Sequence, residues 1–259
     1  MKRFAGAMLV LMLGILSISV PGWAEDEEKP TASATMGAFS KYIWRGYELS
    51  DDGIVVQPSM TVGYKGFTMN LWGNLDTDLD DRDPSTSNEK KWNETDLTME
   101  YAHKFGPVKL AAGYIYYALD SIDDSEEVYL SASLDVLLTP TLTVYREIAH
   151  APSWYVKLGI GHSFDLGGGV SLELAGSAAY NYSDDEAFVK ENTDEQYRCF
   201  HDGNLSAGLK IPITKYLVVN PLIAYSFPLS DTAKTHIRAT SFSDDSDFLY
   251  GGVNLTLSF

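Results

Sequence analysis

The chain has 259 residues, with 19 basic against 36 acidic side chains and a formal net charge of −17. That balance excludes a nucleic-acid partner, which would need a basic surface. The only cysteine, Cys199, leaves no lipobox and no disulfide framework.

The first predicted element is a secretory signal peptide over residues 1–24. Lys2 and Arg3 precede an apolar run from Phe4 to Val20, Pro21 breaks it, and Gly22-Trp23-Ala24 supplies small residues where a signal peptidase reads. Cleavage is expected after Ala24; Ala32-Ser33-Ala34 also fits locally but lies far from the apolar run, and an uncleaved anchor is the alternative. Removing this segment takes away Lys2 and Arg3 and no acid, so the net charge deepens by two. A short segment, 25–34, follows. No second apolar run could span as a helix, which a β-barrel predicts because its strands need only one apolar face.

From Thr35 the period-two alternation predicts twelve strands, over 35–47, 54–64, 67–79, 93–104, 108–119, 126–138, 141–149, 154–165, 170–182, 201–211, 216–227 and 247–259. In the eighth, Trp154, Val156, Leu158, Ile160, His162 and Phe164 share one face, opposite Tyr155, Lys157, Gly159, Gly161, Ser163 and Asp165. Connections alternate in length. Lys65-Gly66, Gly106-Pro107, Thr139-Pro140, Leu166 to Gly169 and Pro212 to Lys215 are tight turns, while 80–92, 183–200 and 228–246 are long and acidic. Short turns at one end and long loops at the other describe a transmembrane antiparallel up-and-down barrel of the Gram-negative outer membrane, with both termini periplasmic. Aromatic residues sort with the loops: Tyr64, Phe67, Phe105, Phe164 and Phe259 fall at the short-turn end, and Tyr42, Trp44, Tyr114, Tyr116, Trp154, Tyr180 and Tyr182 at the other. In the last strand Leu255, Leu257 and Phe259 alternate with polar residues, a pattern like the signal read by the barrel-assembly machinery.

The stretch Ser40-Lys41-Tyr42-Ile43-Trp44-Arg45-Gly46 is followed by Gln57-Pro58, by Gly66-Phe67 and by Trp72-Gly73-Asn74. Over residues 39–76 this resembles the TorF-type porin family, whose opening strand carries Ser-x-Tyr-x-x-Arg-Gly. Further along, the resemblance is architectural. It implies a pore and assigns no solute.

Alternation turns Lys41, Arg45, Asp76, Asp96, Glu100, Lys104, Lys109, Glu127, Asp135, Lys157, Glu173 and Lys210 inward as candidate pore-lining residues. A lipid-facing Arg or Lys costs about 2–4 kcal/mol at the midplane, so charges belong in the lumen. Twelve strands spaced about 4.8 Å apart and tilted near 40° give a barrel roughly 24 Å across. Two readings follow: a narrow water-filled pore with Lys41 and Arg45 facing acids across the lumen, or a filled barrel with internal ion networks. Arg146 would face lipid near mid-strand, so a bulge that re-aims it, or a subunit contact, is expected.

The loop clusters Asp80-Asp81, Asp123-Asp124, Asp184-Asp185-Glu186 and Asp244-Asp245 read as a solvated rim or as a trap that concentrates cations at the mouth. Cys199 and His201 with scattered histidines make no convergent metal set. His162 and Ser163, adjacent in a strand, point to opposite faces and cannot cooperate, so no catalytic, cofactor-binding or metal residue is expected. The partners implied are outer-membrane lipid, the assembly machinery and small solutes or cations. Three functions compete: a cation-preferring porin-like channel, a filled barrel acting as an adhesin or structural protein, and a barrel enzyme.

Overall fold

The computed structural model describes residues 29–51, 53–79, 89–120, 122–185, 188–191 and 193–259. The proposed signal peptide and the Asp80-Asp81 cluster lie outside these residues. In chain order the elements are β1 (Thr31–Phe39), β2 (Ile43–Trp44), β3 (Tyr47–Glu48), β4 (Val55–Tyr64), β5 (Phe67–Leu79), β6 (Glu89–Phe105), β7 (Val108–Leu119), β8 (Ser125–Leu134), β9 (Thr141–Glu147), β10 (Ser153–Gly167), β11 (Val170–Ser183), β12 (Arg198–Pro212), β13 (Leu217–Pro228), α1 (Asp231–Thr240) and β14 (Phe248–Ser258). Twelve strands close into an antiparallel barrel in which each pairs with its neighbours in sequence and β1 pairs with both β4 and β14. The expected twelve-strand up-and-down barrel is what forms. The remaining two strands, β2 and β3, make a separate hairpin.

Period-two chemistry explains the wall. Leu158 and Ile160 of β10 face outward beside Ala178 and Gly176 of β11, while Gly159, Gly161 and Ser163 face in beside Ser177, Ala175 and Glu173. Large apolar side chains stand fully outward, Leu130 at 67% exposure and Leu205 at 56%. A soluble fold would bury them, since each exposed Leu forgoes about 1.5–3 kcal/mol of transfer free energy. Only a surrounding apolar phase makes this surface stable, so the barrel crosses a membrane.

Tight turns join the strands at one end. Lys65 and Gly66 are both left-handed (φ 48° and 83°), the combination that a two-residue hairpin of matching twist requires. Gly167, Gly168 and Gly169 have φ of 87°, 63° and 81°, a run that residues with a Cβ would resist. The turn after β8 is longer than Thr139-Pro140 alone: β8 stops at Leu134, and Leu138 and Thr139 take positive φ.

Four expectations need correction. Residues 31–34, expected in the short segment 25–34 that precedes the barrel, belong to the wall, where they pair with Gly63 to Met60 of β4. The first strand ends at Phe39 instead of running to 47. Residues 40–50 leave the wall and fold inside the barrel, so Tyr42 and Trp44 are buried (0% and 2% exposed) and not part of a lipid-facing belt. The 228–246 connection is not all loop: α1 forms there, capped by Ser230, whose side chain accepts from the Ala233 N–H. Finally, no bulge re-aims Arg146. It sits in register between Val128 and Trp154 on the outer face, one residue from the end of β9. There it stacks over Trp154 at 4.9 Å and pairs with Asp184, so its charge lies at the long-loop rim, away from the midplane.

Candidate functional site: the lumen and its internal hairpin

The lumen divides into two halves. Toward the short turns many inward residues are small and polar, among them Ser59, Thr61, Thr98, Gly113, Ser131, Ser133, Thr141, Gly159, Gly161, Ser163, Ser177, Ser206 and Gly208, all partly exposed, with the longer Glu100, Lys157 and Glu173 between them. Side chains of that size do not fill a twelve-strand barrel, and a vestibule remains. A cavity of about 150 Å³ at its upper end is lined by Thr98, Glu100, Ile115, Tyr129, Ser131, Thr143 and Tyr145.

Toward the long loops the lumen is filled. The buried apolar cluster of the molecule lies here, built from Phe39, Tyr42, Ile43, Trp44, Tyr47, Val55, Ile115, Tyr117, Tyr197, Ile237, Phe248 and Tyr250. Its centre is the β2–β3 hairpin. Arg45 and Gly46 form its turn with φ of 45° and 84°, and a Cβ on Gly46 would come 2.9 Å from Asp202 Cβ. This turn explains why a glycine must follow the arginine of the Ser-x-Tyr-x-x-Arg-Gly stretch. Ser50 Oγ accepts from the Tyr42 N–H and the Leu49 N–H donates to Tyr42 O, closing the base of the hairpin.

Arg45 is the anchor. Its guanidinium donates twice to Glu127 of β8, at 2.9 and 2.7 Å, with both side chains almost wholly buried. The rings of Trp44, Tyr145 and Tyr155 surround it at 4.5, 4.8 and 4.1 Å. A bidentate pair in an aromatic cage is strong and directional, because the carboxylate satisfies the planar fork and the rings replace part of the lost hydration. Lys41 pairs locally with Glu48 and not across the lumen. Glu48 also accepts from Ser243 through N–H and Oγ, tying the hairpin to the α1 connection.

Other predicted lining residues divide between the two halves. Asp76 and Asp96 are buried in the upper half; Asp76 accepts from the Asp78 N–H, and Asp96 neighbours Glu94, which accepts from Tyr42 Oη. Glu100 accepts from Tyr129 Oη in the lower half, where Lys157 and Glu173 also face inward. Lys109 pairs in register with Lys104 at the short-turn rim, and Lys210 pairs with Ser171. Asp135 lies beyond the end of β8, in the turn, and meets Lys104 at 2.9 Å; it is a rim residue and not a strand residue.

Residues that sequence reasoning missed sit beneath α1. Opposite Ala178 and Tyr180, β12 advances from Gly203 to Phe200, one residue more than β11, and this bulge turns both His201 and Asp202 inward. Tyr155 Oη donates to Asp202 at 2.8 Å, and Tyr197 Oη meets His201 Nδ1 at 2.6 Å. His236 of α1 packs against Tyr47, Phe188 and Tyr197, and burial together with neighbouring His201 holds it down at about 4. On the rim, Asp124 accepts from Tyr116 Oη and the Leu119 N–H, which lowers its pKa.

No protein-family model and no curated protein matches the sequence. Among solved structures the chain is similar to the NanC porin, with TM-score 0.53 and 10% identity over 88% of this chain and 98% of that one. It is similar also to an outer-membrane channel from Pseudomonas putida F1, with TM-score 0.53 and 9% identity over the whole of both chains. The architecture is that of an outer-membrane β-barrel. At such identities the likeness establishes that fold, and the apolar outer surface places this barrel in a membrane.

Proposed function

We propose that this barrel is an outer-membrane channel for passive passage of small solutes or ions, with a preference for cations, its bore set by the hairpin at 40–50. The observation that carries the reading is the half-exposed row of small polar residues along the lower lumen, inside a wall whose outer face is apolar. A barrel whose only task was structural would gain stability by filling that space. The two similar structures named above, a porin and a channel, agree with this reading, as does the resemblance of residues 39–76 to the TorF-type porins. Cation preference follows from the surplus of acid: with a chain charge of −17 and an apolar outer band, carboxylates concentrate in the lumen and at its mouths. Long loops face the cell exterior and short turns the periplasm.

The filled upper half favours a second reading, a barrel closed in its resting state and working through its loops. Planar-bilayer recording of the refolded protein separates the two. Discrete steps with a cation-directed reversal potential, stronger at low salt where screening is weak, are expected. A silent membrane with correctly folded barrel refutes the channel, and anion selectivity refutes the charge reasoning.

A further inference from the structure

Inward residues in direct register form a row across five neighbouring strands: Glu100 of β6, Gly113 of β7, Tyr129 of β8, Tyr145 of β9 and Tyr155 of β10. Gly113 is what lets the row form. A Cβ there would lie 2.3 Å from the Tyr129 ring, so the ring crosses over β7 and its hydroxyl reaches Glu100 at 2.7 Å. Tyr129 and Tyr145 stand with ring centroids 5.3 Å apart. Just below them Ser131 and Thr143 join hydroxyls at 3.0 Å. Together with Thr98 they line the cavity of about 150 Å³ under the hairpin.

We infer that this cavity is a binding subsite for a small neutral polyhydroxylated solute, such as a monosaccharide or sugar alcohol. The inference rests on the channel reading and names the solute class of that lumen. Aromatic rings offer apolar area to the C–H face of such a molecule, while hydroxyls that donate and accept match its own alcohol groups. The volume is of the order that accepts a six-membered ring. Glu100 is the one charged side chain in the lining, and its carboxylate already accepts from Tyr129 Oη at 2.7 Å. Arg45 directs its Nη1 and Nη2 donors to Glu127 instead of the cavity. The cavity reaches the hairpin through Tyr145, whose ring faces the Arg45 guanidinium at 4.8 Å, so a bound solute lies next to the segment that fills the upper lumen.

The test is saturation-transfer NMR of the detergent-refolded barrel with glucose, sorbitol and glycine as probes, beside bilayer recording of the same sample. Glucose and sorbitol should bind saturably and glycine should not. Ser131→Ala with Thr143→Val removes two hydroxyls at near-constant shape and should weaken binding about tenfold. Tyr129→Leu should weaken it further, while Tyr225→Leu, on the outer face, should leave it unchanged. Heat-modifiable migration on gels reports that each variant folds. No binding, equal binding of glycine, or full binding by the folded Ser131/Thr143 variant overturns the subsite. Conductance without solute binding leaves the channel standing and removes the subsite. Binding without conductance keeps the subsite and removes the channel.

Discussion

Removing the guanidinium of Arg45 should unlock the hairpin. In Arg45→Met the Glu127 carboxylate stays buried, at 1% exposure, with Tyr117 Oη at 2.9 Å as its remaining donor. Leaving one member of a buried pair uncompensated costs about 3–5 kcal/mol, and loss of the three-ring cage adds about 0.5–2 kcal/mol. A shift of at least 3 kcal/mol moves an equilibrium about two orders of magnitude, enough to turn a rarely displaced hairpin into a commonly displaced one. Replacing both partners, Arg45→Met with Glu127→Met, should recover most of that loss, since two apolar side chains leave no orphaned charge. The assay is a double-mutant cycle read by urea-dependent fluorescence of Trp44, which lies in the hairpin, together with open probability in bilayers. Single variants should open far more often than the wild type or the double variant. Equal stability and equal gating in all four proteins would show that the pair does not hold the hairpin.

Docking of α1 should weaken in acid. His236 has a pKa of about 4 when packed against an ordinary 6.5, so the docked helix resists protonation. Its contribution is complete above pH 6.5 and is lost as pH falls toward 4, by about 3 kcal/mol in all. Glu191 at 3.6 Å is partly exposed and offsets little of this. Protection factors of the α1 amides, corrected for the intrinsic exchange rate at each pH, should therefore fall between pH 7 and pH 4.5, and His236→Phe should flatten the response; protection factors that do not change with pH would count against it. Gly113→Val should destabilise the barrel by about 1–3 kcal/mol, because its Cβ would strike the Tyr129 ring. Unchanged urea midpoints would mean that the ring has another place to go.

The wall was legible in the sequence because membrane strands obey one rule, apolar out and polar in, and the tight turns punctuate it. Residues 40–50 were not, since Tyr42, Trp44 and Arg45 continue the period-two pattern of β1 while leaving the wall. Alternation records which faces differ, and it does not say whether the apolar face meets lipid or a packed interior. The side chains of this hairpin meet Tyr117, Tyr155 and Glu94 from distant strands, which no local pattern encodes. For α1 the signals were present: Ser230 as cap, Asp231 in the first turn and Arg238 in the last. They were outweighed by the acidic, turn-like composition around them. The bulge at His201 and Asp202 carries no signal of its own, because a single extra residue inside a strand leaves composition unchanged. Of the lining residues, Glu100, Lys157 and Glu173 follow from alternation; the Arg45–Glu127 pair needed the three-dimensional path of the hairpin.

That hairpin is sewn into the cylinder at both ends, to β1 through Phe39 and to β4 through Val55. A stopper held by one thread can be pulled clear, but one held by two can only shuffle in place. Any opening must therefore be a rearrangement within the tube. The same tether constrains manufacture. The seam is the β1–β14 ladder, and the hairpin follows directly on β1, so the interior must be loaded before the last ladder zips shut. A chain that closes its seam with residues 40–50 outside would be a complete cylinder and a misassembled one, trapped because reopening it means breaking the whole row of backbone bonds between Phe39 and Ser33 on one side and Gly252 and Ser258 on the other.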